Sequence, residues 1–214
     1  MARTRLLVAT RNKGKLREFQ HLLADAPFDL VSLGDVGVAD EVAETGGTFE
    51  ENAILKAEGY ARLSGLPTLA DDSGLEVGAL GDAPGVHSAR FAGEYASDAQ
   101  NIALLLEKLK GVPGDRLSAR FRCVIAVAWP GLPTKTFTGE CPGRIVRTPR
   151  GGNGFGYDPV FFIPRLGKTI AELPPDEKHR ISHRGKAARK AVQWLRTMAD
   201  EEQLRTAHPS TGSG

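Results

Sequence analysis

The stretch LADDSGLEV at 69–77 constrains the fold more than any other: an apolar approach, Leu66, Leu69 and Ala70, runs straight into two adjacent carboxylates, Asp71 and Asp72, and then into Ser73-Gly74. Aspartate and serine are poor strand residues, so the pattern predicts a strand over 66–70 that stops at the acids. In open α/β sheets, ligands sit beyond the carboxyl ends of strands. Two acids at such an end suit Mg²⁺, which is held by one or two carboxylates together with phosphate oxygens. A carboxylate beside that ion can also orient or deprotonate a water. The plain alternative is an Asx-type turn in which Asp72 bonds the backbone near Gly74.

Around this stretch, short apolar runs alternate with helical periods. Leu6 to Ala9 reads as a strand buried on both faces. Leu16, Phe19, Leu22 and Leu23 recur at helical spacing until Pro27, and 28–33 reads as a second strand. Residues 34–47 are rich in glycine and acids, hence a loop. Thr48 with Glu51 forms a capping box that opens a helix running to Gly65. Residues 78–96 look irregular. Ser97 with Gln100 makes a second capping box, and the helix through Leu104, Leu105 and Leu109 is stopped by Gly111 and Pro113. Residues 119–129 and 134–146 read as an antiparallel hairpin turned at Pro130-Gly131. A Gly-rich loop (151–159), a strand (160–163) and a last helix follow, the helix with Ala188, Val192, Leu195 and Met198 facing inward. The order is that of an α/β domain with a mixed sheet over 1–202. The polar tail at 203–214 is expected to be disordered, its closing GSG reading as an expression remnant.

Composition narrows the function classes. The 214 residues carry 28 Lys+Arg against 26 Asp+Glu, a net charge of +2, too mild for a dedicated nucleic-acid binder. The two cysteines, Cys123 and Cys141, form no C-x-x-C, so neither a disulfide framework nor a zinc site is indicated. No apolar run approaches the ~18 residues of a membrane span. The N-terminus MARTRLLVAT lacks the apolar core and cleavage site of a signal peptide, so the expectation is a soluble cytoplasmic protein.

Three further segments carry chemistry. In T-R-N-K-G-K (10–15), a loop between strand and helix offers backbone N–H groups to anions. Lys13 and Lys15 add charge, and Thr10 and Asn12 add donors. The spacing is not that of a Walker A loop, and a solvated basic turn is the competing reading. In GGNGFGYD (151–158) the glycines let backbone approach a ligand, Phe155 can stack on a purine and Asp158 can accept from a base N–H. Alternatively, Phe155 and Tyr157 pack on the core. In EKHRISHR (177–184), His179 and His183 lie four apart but lack a third metal ligand, so zinc is not expected. Lys178, His183 and Arg184 can instead present donors to keto groups or phosphate, unless the segment is simply a solvated helix start. Ser73 has no G-x-S-x-G context.

Taken together and in order, LLVATRNKGKLREFQHLL, ETGGTFEENAILKAEGYA, LADDSGLEVGALGDAPGVHSARFAG, GGNGFGYDPVFF and ELPPDEKHRISHRGKA resemble the inosine triphosphate pyrophosphatase family, over Leu6 to about Met198. The resemblance implies an elongated, two-lobed mixed β-sheet flanked by helices, with a central substrate cleft (the ITPase-like/Maf-like fold) and a homodimer. It implies Mg²⁺-dependent hydrolysis of ITP, dITP and XTP to the monophosphate and pyrophosphate. The family's phosphate loop maps to Thr10, Arg11, Asn12, Lys13, Gly14 and Lys15. Its general base and metal ligand maps to Asp72, with Ser73 touching substrate. Its base-contacting loop maps to Phe155, Gly156, Tyr157 and Asp158, and its lysine and His-Arg pair to Lys178, His183 and Arg184. The family's metal glutamate, three residues before the T-G glycine, falls on Ala43 here. Glu44 beside it is the substitute the chain offers; otherwise the ion relies on Asp72, phosphate and water. The partner implied is a small-molecule nucleotide, with no membrane and no stable nucleic acid. Two alternatives stand beside this. A Maf-type nucleotide pyrophosphatase is disfavoured by the S-H-R and F-G-Y-D segments. A non-catalytic nucleotide or nucleic-acid binder using Arg184, Lys186, Arg189 and Lys190 is disfavoured by the weak net charge and the paired acids.

Overall fold

The computed structural model describes residues 3–207, with side chains described as far as Asp200. Seven strands form one sheet: β1 (Arg5–Val8), β2 (Asp29–Ser32), β3 (Thr68–Val77), β4 (Ser118–Ala128), β5 (Lys135–Ile145), β6 (Phe161–Ile163) and β7 (Lys168–Thr169). Their order is β2-β1-β3-β4-β5-β6-β7. β1 is parallel to β2 and to β3, and every later pairing is antiparallel. The sheet is therefore mixed, as the alternation of βα units with a hairpin predicts.

Helices cover both faces. α1 (Lys13–Leu22) and α5 (His183–Ala207) lie on one, and α2 (Phe49–Ser64) on the other. The division follows from strand periodicity: successive side chains point to opposite faces. Leu6, Val8, Leu69, Cys123 and Ile125 pack with Phe19, Ala188 and Leu195 of α1 and α5. Leu7, Ala9, Ala70, Val124 and Ala126 pack with Phe49, Ala53, Ala57 and Tyr60 of α2. A third cluster, built from Leu75, Val77, Phe121, Ile145 and Phe161, joins α3 (Asp98–Lys108) through Leu105. Cys123 and Cys141 are buried and unbridged. Both capping boxes form as expected, at Thr48/Glu51 and Ser97/Gln100.

Three sequence expectations need correction. β3 does not stop at the aspartates; it runs on to Val77, with Asp71 opposite Ile125 and Asp72 opposite Val124. The ten-residue ladder with β4 outweighs the low strand propensity of Asp, Ser and Gly, because that propensity depends on context. Residues 203–207 continue α5, so only 208–214 of the expected tail fall outside the described residues. Met198 is only half-buried, while Ala199 beside it is in the core. The segment before α5 forms a separate helix, α4 (Pro175–Ile181), which ends at the extended residue Ser182. The Ser182 hydroxyl accepts the Gly185 N–H at 3.0 Å and so caps the start of α5.

α5 crosses β5 at Gly139. A Cβ there would overlap the carbonyl oxygen of His183 and lie 2.6 Å from Ala187 N. Both neighbours are backbone and cannot yield by a rotamer change. Gly139→Ala should therefore lower stability by about 1–3 kcal/mol, the usual cost of overfilling a packed contact. A shift in the urea midpoint checks this, and an unchanged midpoint would show that the helix lifts off without cost.

Candidate active site

β1 and β3 pair only at Leu7–Thr68 and Val8–Leu69. β1 then ends, while β3 continues, and the chain leaving β1 turns through Thr10–Asn12 into α1. The phosphate-loop candidate thus emerges beside the acidic part of β3. Asn12 caps α1, its Oδ1 accepting the Lys15 N–H at 3.0 Å, and Thr10 Oγ1 accepts the Asn12 N–H at 3.2 Å.

The two aspartates project to opposite faces of the sheet. Asp71 faces α1 and α5. Its Oδ2 lies 3.1 Å from Lys15 Nζ and 3.4 Å from Arg184 Nε, and it accepts from Ser73 Oγ at 3.0 Å. Asp72 faces α2. It accepts from Asn52 Nδ2 at 3.2 Å and lies 3.4 Å from Lys56 Nζ, which reaches Glu44 at 2.8 Å. The expectation of two acids sharing one ion therefore needs correction: strand alternation puts the sheet between their carboxyl groups, and the acid that accompanies Asp72 is Glu44. Ala43 is exposed.

Their electrostatics differ in the same way. Burial would raise Asp71, but Lys15 and Arg184 overcome it and hold the carboxyl far below its ordinary range. Asp72 moves up: burial raises it, and Glu44 and Asp71 add to this against the pull of Lys56 and Lys15. Asp72 and Glu44 thus form a hard-oxygen pair with a cation, the Lys56 ammonium, already between them. That donor set fits Mg²⁺ completed by phosphate oxygens. Among the described residues there is no cluster of three or more His, Cys, Asp or Glu side chains that would hold a metal by itself.

Two adjacent cavities result. The smaller, about 160 Å³, is bounded by Thr10, Asn12, Lys15, Glu44, Lys56 and Asp72. The larger, about 250 Å³, is bounded by Phe155, Gly156, Tyr157, Lys178, His183 and Arg184, with Asp158 at its wall. Asn12, Lys15 and Ser73 border both. Of the residues expected at the phosphates, two stand elsewhere and one borders the cavity with its guanidinium already engaged. Lys13 is exposed and borders neither cavity. The Arg11 guanidinium donates to the carbonyls of Ala39 and Asp40 at 2.6 and 2.8 Å, so it pins the 34–47 loop from the cavity rim. Gly14 is buried under Phe155, whose ring leaves no room for a Cβ (2.8 Å).

The larger cavity is walled by charges that hold one another. Lys178 Nζ lies 2.6 Å from both Glu18 and Asp158, and Arg184 Nη1 lies 2.6 Å from Glu18. Arg184 also donates to Ser73 Oγ at 2.7 Å. The Phe155 ring lies under both cations, 4.9 Å from Lys178 Nζ and 5.5 Å from the Arg184 guanidinium. Asp158 accepts the Phe155 N–H at 3.0 Å; burial pushes its carboxyl up, against the pull of Lys178. The Tyr157 hydroxyl donates to the Ser88 carbonyl at 2.9 Å. His183 stacks on Phe121 with ring centroids 4.7 Å apart, and burial keeps its imidazole neutral. Asn52, Lys56 and Glu18 were not singled out from the sequence. Their signal was available: each is a polar residue on an otherwise inward helical face, and each is buried.

The model of the Ham1 family matches residues 6–194. The chain is 55% identical over 190 residues to a protein of Geobacillus kaustophilus named dITP/XTP pyrophosphatase, covering 88% of this chain and 93% of that one. It is 49% identical over 189 residues to a dITP/XTP pyrophosphatase of Bacillus subtilis, covering 88% and 96%. Among solved structures, the Ham1 protein of Staphylococcus aureus superposes with a TM-score of 0.82 at 42% identity, covering 91% of this chain and 100% of that one.

The Glu18 cluster also makes a prediction about pH. Burial would raise the Glu18 carboxyl, but Arg184 and Lys178 together lower it to about 2 from an ordinary 4.5. A depressed folded-state value contributes stability above the unfolded value and loses it as pH falls through the folded one. Stability should therefore decline between about pH 4.5 and 2 through this group, and Glu18→Gln should flatten that part of the curve. Urea melts across the range check it; equal slopes in variant and wild type would contradict the ion-pair account.

Proposed function

The chain belongs to the Ham1 family, and from that membership we propose that it hydrolyses deaminated purine nucleoside triphosphates, ITP, dITP and XTP, to the nucleoside monophosphate and pyrophosphate. Such an enzyme is a hydrolase acting on acid anhydrides. The observation that supports the reading most is that the two cavities lie side by side and share Asn12, Lys15 and Ser73 in their walls. One end has an aromatic and donors suited to a base. The other has cations suited to phosphates and a carboxylate suited to a water.

In this reading the purine enters the larger cavity beside Phe155. Lys178 and Arg184, oriented by Glu18, Asp158 and Asp71, offer donors to the 6-keto oxygen of hypoxanthine or xanthine. Adenine presents an amino donor at that position and leaves those donors unpaired. Each such buried mismatch costs ~1–3 kcal/mol, so more than one is needed for strong discrimination. Lys15 and Lys56 hold the polyphosphate. Asp72, raised by its environment and fixed by the Asn52 amide, accepts the proton of the attacking water at its carboxylate. Bound Mg²⁺, held by Asp72 and Glu44, would supply charge neutralisation on the phosphates and acidify a water. A homodimer and a cytoplasmic location are carried over from the family resemblance as parts of the same proposal. Among the described residues no helix is long and apolar enough to cross a membrane.

The direct test is pyrophosphate release from ITP, XTP, GTP and ATP with Mg²⁺, and again after chelation. ITP and XTP should be turned over at least about tenfold faster than ATP, the worth of one unpaired donor, and chelation should stop release. Equal rates on all four would defeat the selectivity. For the proposed base, Asp72→Asn should lower kcat by about 10²–10⁴-fold while leaving thermal stability near that of the wild type. Turnover close to wild type would remove Asp72 from the mechanism.

A further inference from the structure

The cations around the smaller cavity are not equally free. Lys15 is engaged by Asp71, Lys56 by Glu44 and Asp72, and Arg11 by two backbone carbonyls. Arg90 borders the same cavity, and among the described residues its guanidinium has neither an ion-pair nor a hydrogen-bond partner. It ends a 3-10 turn, Gly85–Arg90, that forms the wall facing the phosphate loop.

The backbone that carries Arg90 is fixed on both sides. The Ser88 hydroxyl accepts the Leu75 N–H at 2.9 Å and donates to the Gly85 carbonyl at 2.6 Å. The Ser88 carbonyl accepts from Tyr157. The Ala89 carbonyl accepts Asn101 Nδ2 at 3.2 Å, and the Ala92 N–H donates to Asn101 Oδ1 at 2.8 Å. A free guanidinium thus stands on a rigid mount, the arrangement that costs least on binding. Its place along the cleft is also informative. Ala89 borders both cavities, whereas Arg90 borders only the one away from the base. The charge balance points the same way. Without Arg90 the cavity lining has three cations, Arg11, Lys15 and Lys56, against three acids, Glu41, Glu44 and Asp72, and Lys15 is already paired with Asp71, so no positive charge is left over where a polyanion must sit.

We propose that Arg90 is a substrate-binding residue that takes the terminal phosphates, the pyrophosphate half of the substrate, through bidentate guanidinium hydrogen bonds. The inference rests on the nucleotide reading above and adds to it a residue that clamps the leaving group. Guanidinium matches phosphate geometry two bonds at a time, which an ammonium cannot do.

Calorimetry at 0.15 M salt, where long-range steering is largely screened, tests this with pyrophosphate and with IMP, each in the presence of Mg²⁺. Arg90→Ala should weaken pyrophosphate binding by about tenfold or more, as one charge-assisted pair is worth, and leave IMP binding unchanged. Arg90→Lys should recover only part of the loss. In turnover, KM for ITP should rise in the alanine variant. Pyrophosphate affinity equal to wild type in Arg90→Ala would overturn the proposal. So would an equal loss for IMP, which would make Arg90 a support of the whole cleft. If the wild type itself neither binds pyrophosphate nor hydrolyses ITP, the nucleotide reading fails first, and the proposal with it.

Discussion

The unequal lengths of β1 and β3 set the rest of the structure. β1 ends at Val8, while β3, held by its ladder with β4, continues to Val77. Beyond Leu69, β3 therefore has one strand neighbour in place of two. The space where β1 would have continued is filled by the turn into α1. This vacated strand position brings the acids of β3 and the basic turn within ion-pair distance. A longer β1 would cover Asp71 and Asp72 with backbone and leave no cleft.

Strand alternation then divides the chemistry between two faces. Asp71 and Ser73 turn toward α1 and α5, where Lys15 and Arg184 meet them. Asp72 turns toward α2, where Asn52 and Lys56 meet it. On the first face the charges form a nearly closed network through Glu18, Lys178 and Asp158. Desolvating so many ions is costly, and buried pairs often add no net stability. What such a network does supply is fixed geometry, and here it fixes the donors that line the larger cavity. The Tyr157–Ser88 bond extends the same rigidity to the opposite wall, so the Gly-rich loop at 151–158 and the 3-10 turn that carries Arg90 hold a common register.

Much of the architecture is legible in the sequence because it is local. The capping boxes at Thr48/Glu51 and Ser97/Gln100, the hairpin at 119–146 and the helical periods each depend on residues within a few positions of one another. The end of β3 is not legible, because its continuation depends on pairing with a strand some fifty residues later, Asp71 opposite Ile125. The site is legible by residue type but not by direction. Lys13 and Lys15 are equivalent in the string T-R-N-K-G-K; only the turn of α1 points Lys15 at Asp71 and leaves Lys13 in solvent. Asn52 and Lys56 lie one helical turn apart among the inward residues Phe49, Ala53 and Tyr60. That is a visible anomaly on an apolar face, although its meaning needs the position of Asp72. Arg184 reads from sequence as a ligand donor, yet much of its hydrogen-bonding capacity is spent on Glu18, Ser73 and Asp71.

The opposite displacement of two neighbouring carboxyl groups shows how one strand can hold two acids of different basicity. Asp71 and Asp72 share a residue type, a backbone segment and nearly complete burial, so desolvation acts on both in the same sense. What separates them is which charges each face provides. Asp71 meets Lys15 and Arg184 and stays a firmly ionised counterion, too weak a base to take a proton. Asp72 shares Lys56 with Glu44, feels Asp71 through the sheet and is left short of positive charge. A group in that condition gains most from the arrival of a cation, and it is the more basic of the two when a water is to lose a proton. Environments that push like groups apart are how acid–base roles are assigned within one site. In this chain the difference between the two carboxyl groups follows from a single strand passing between two differently charged helical layers.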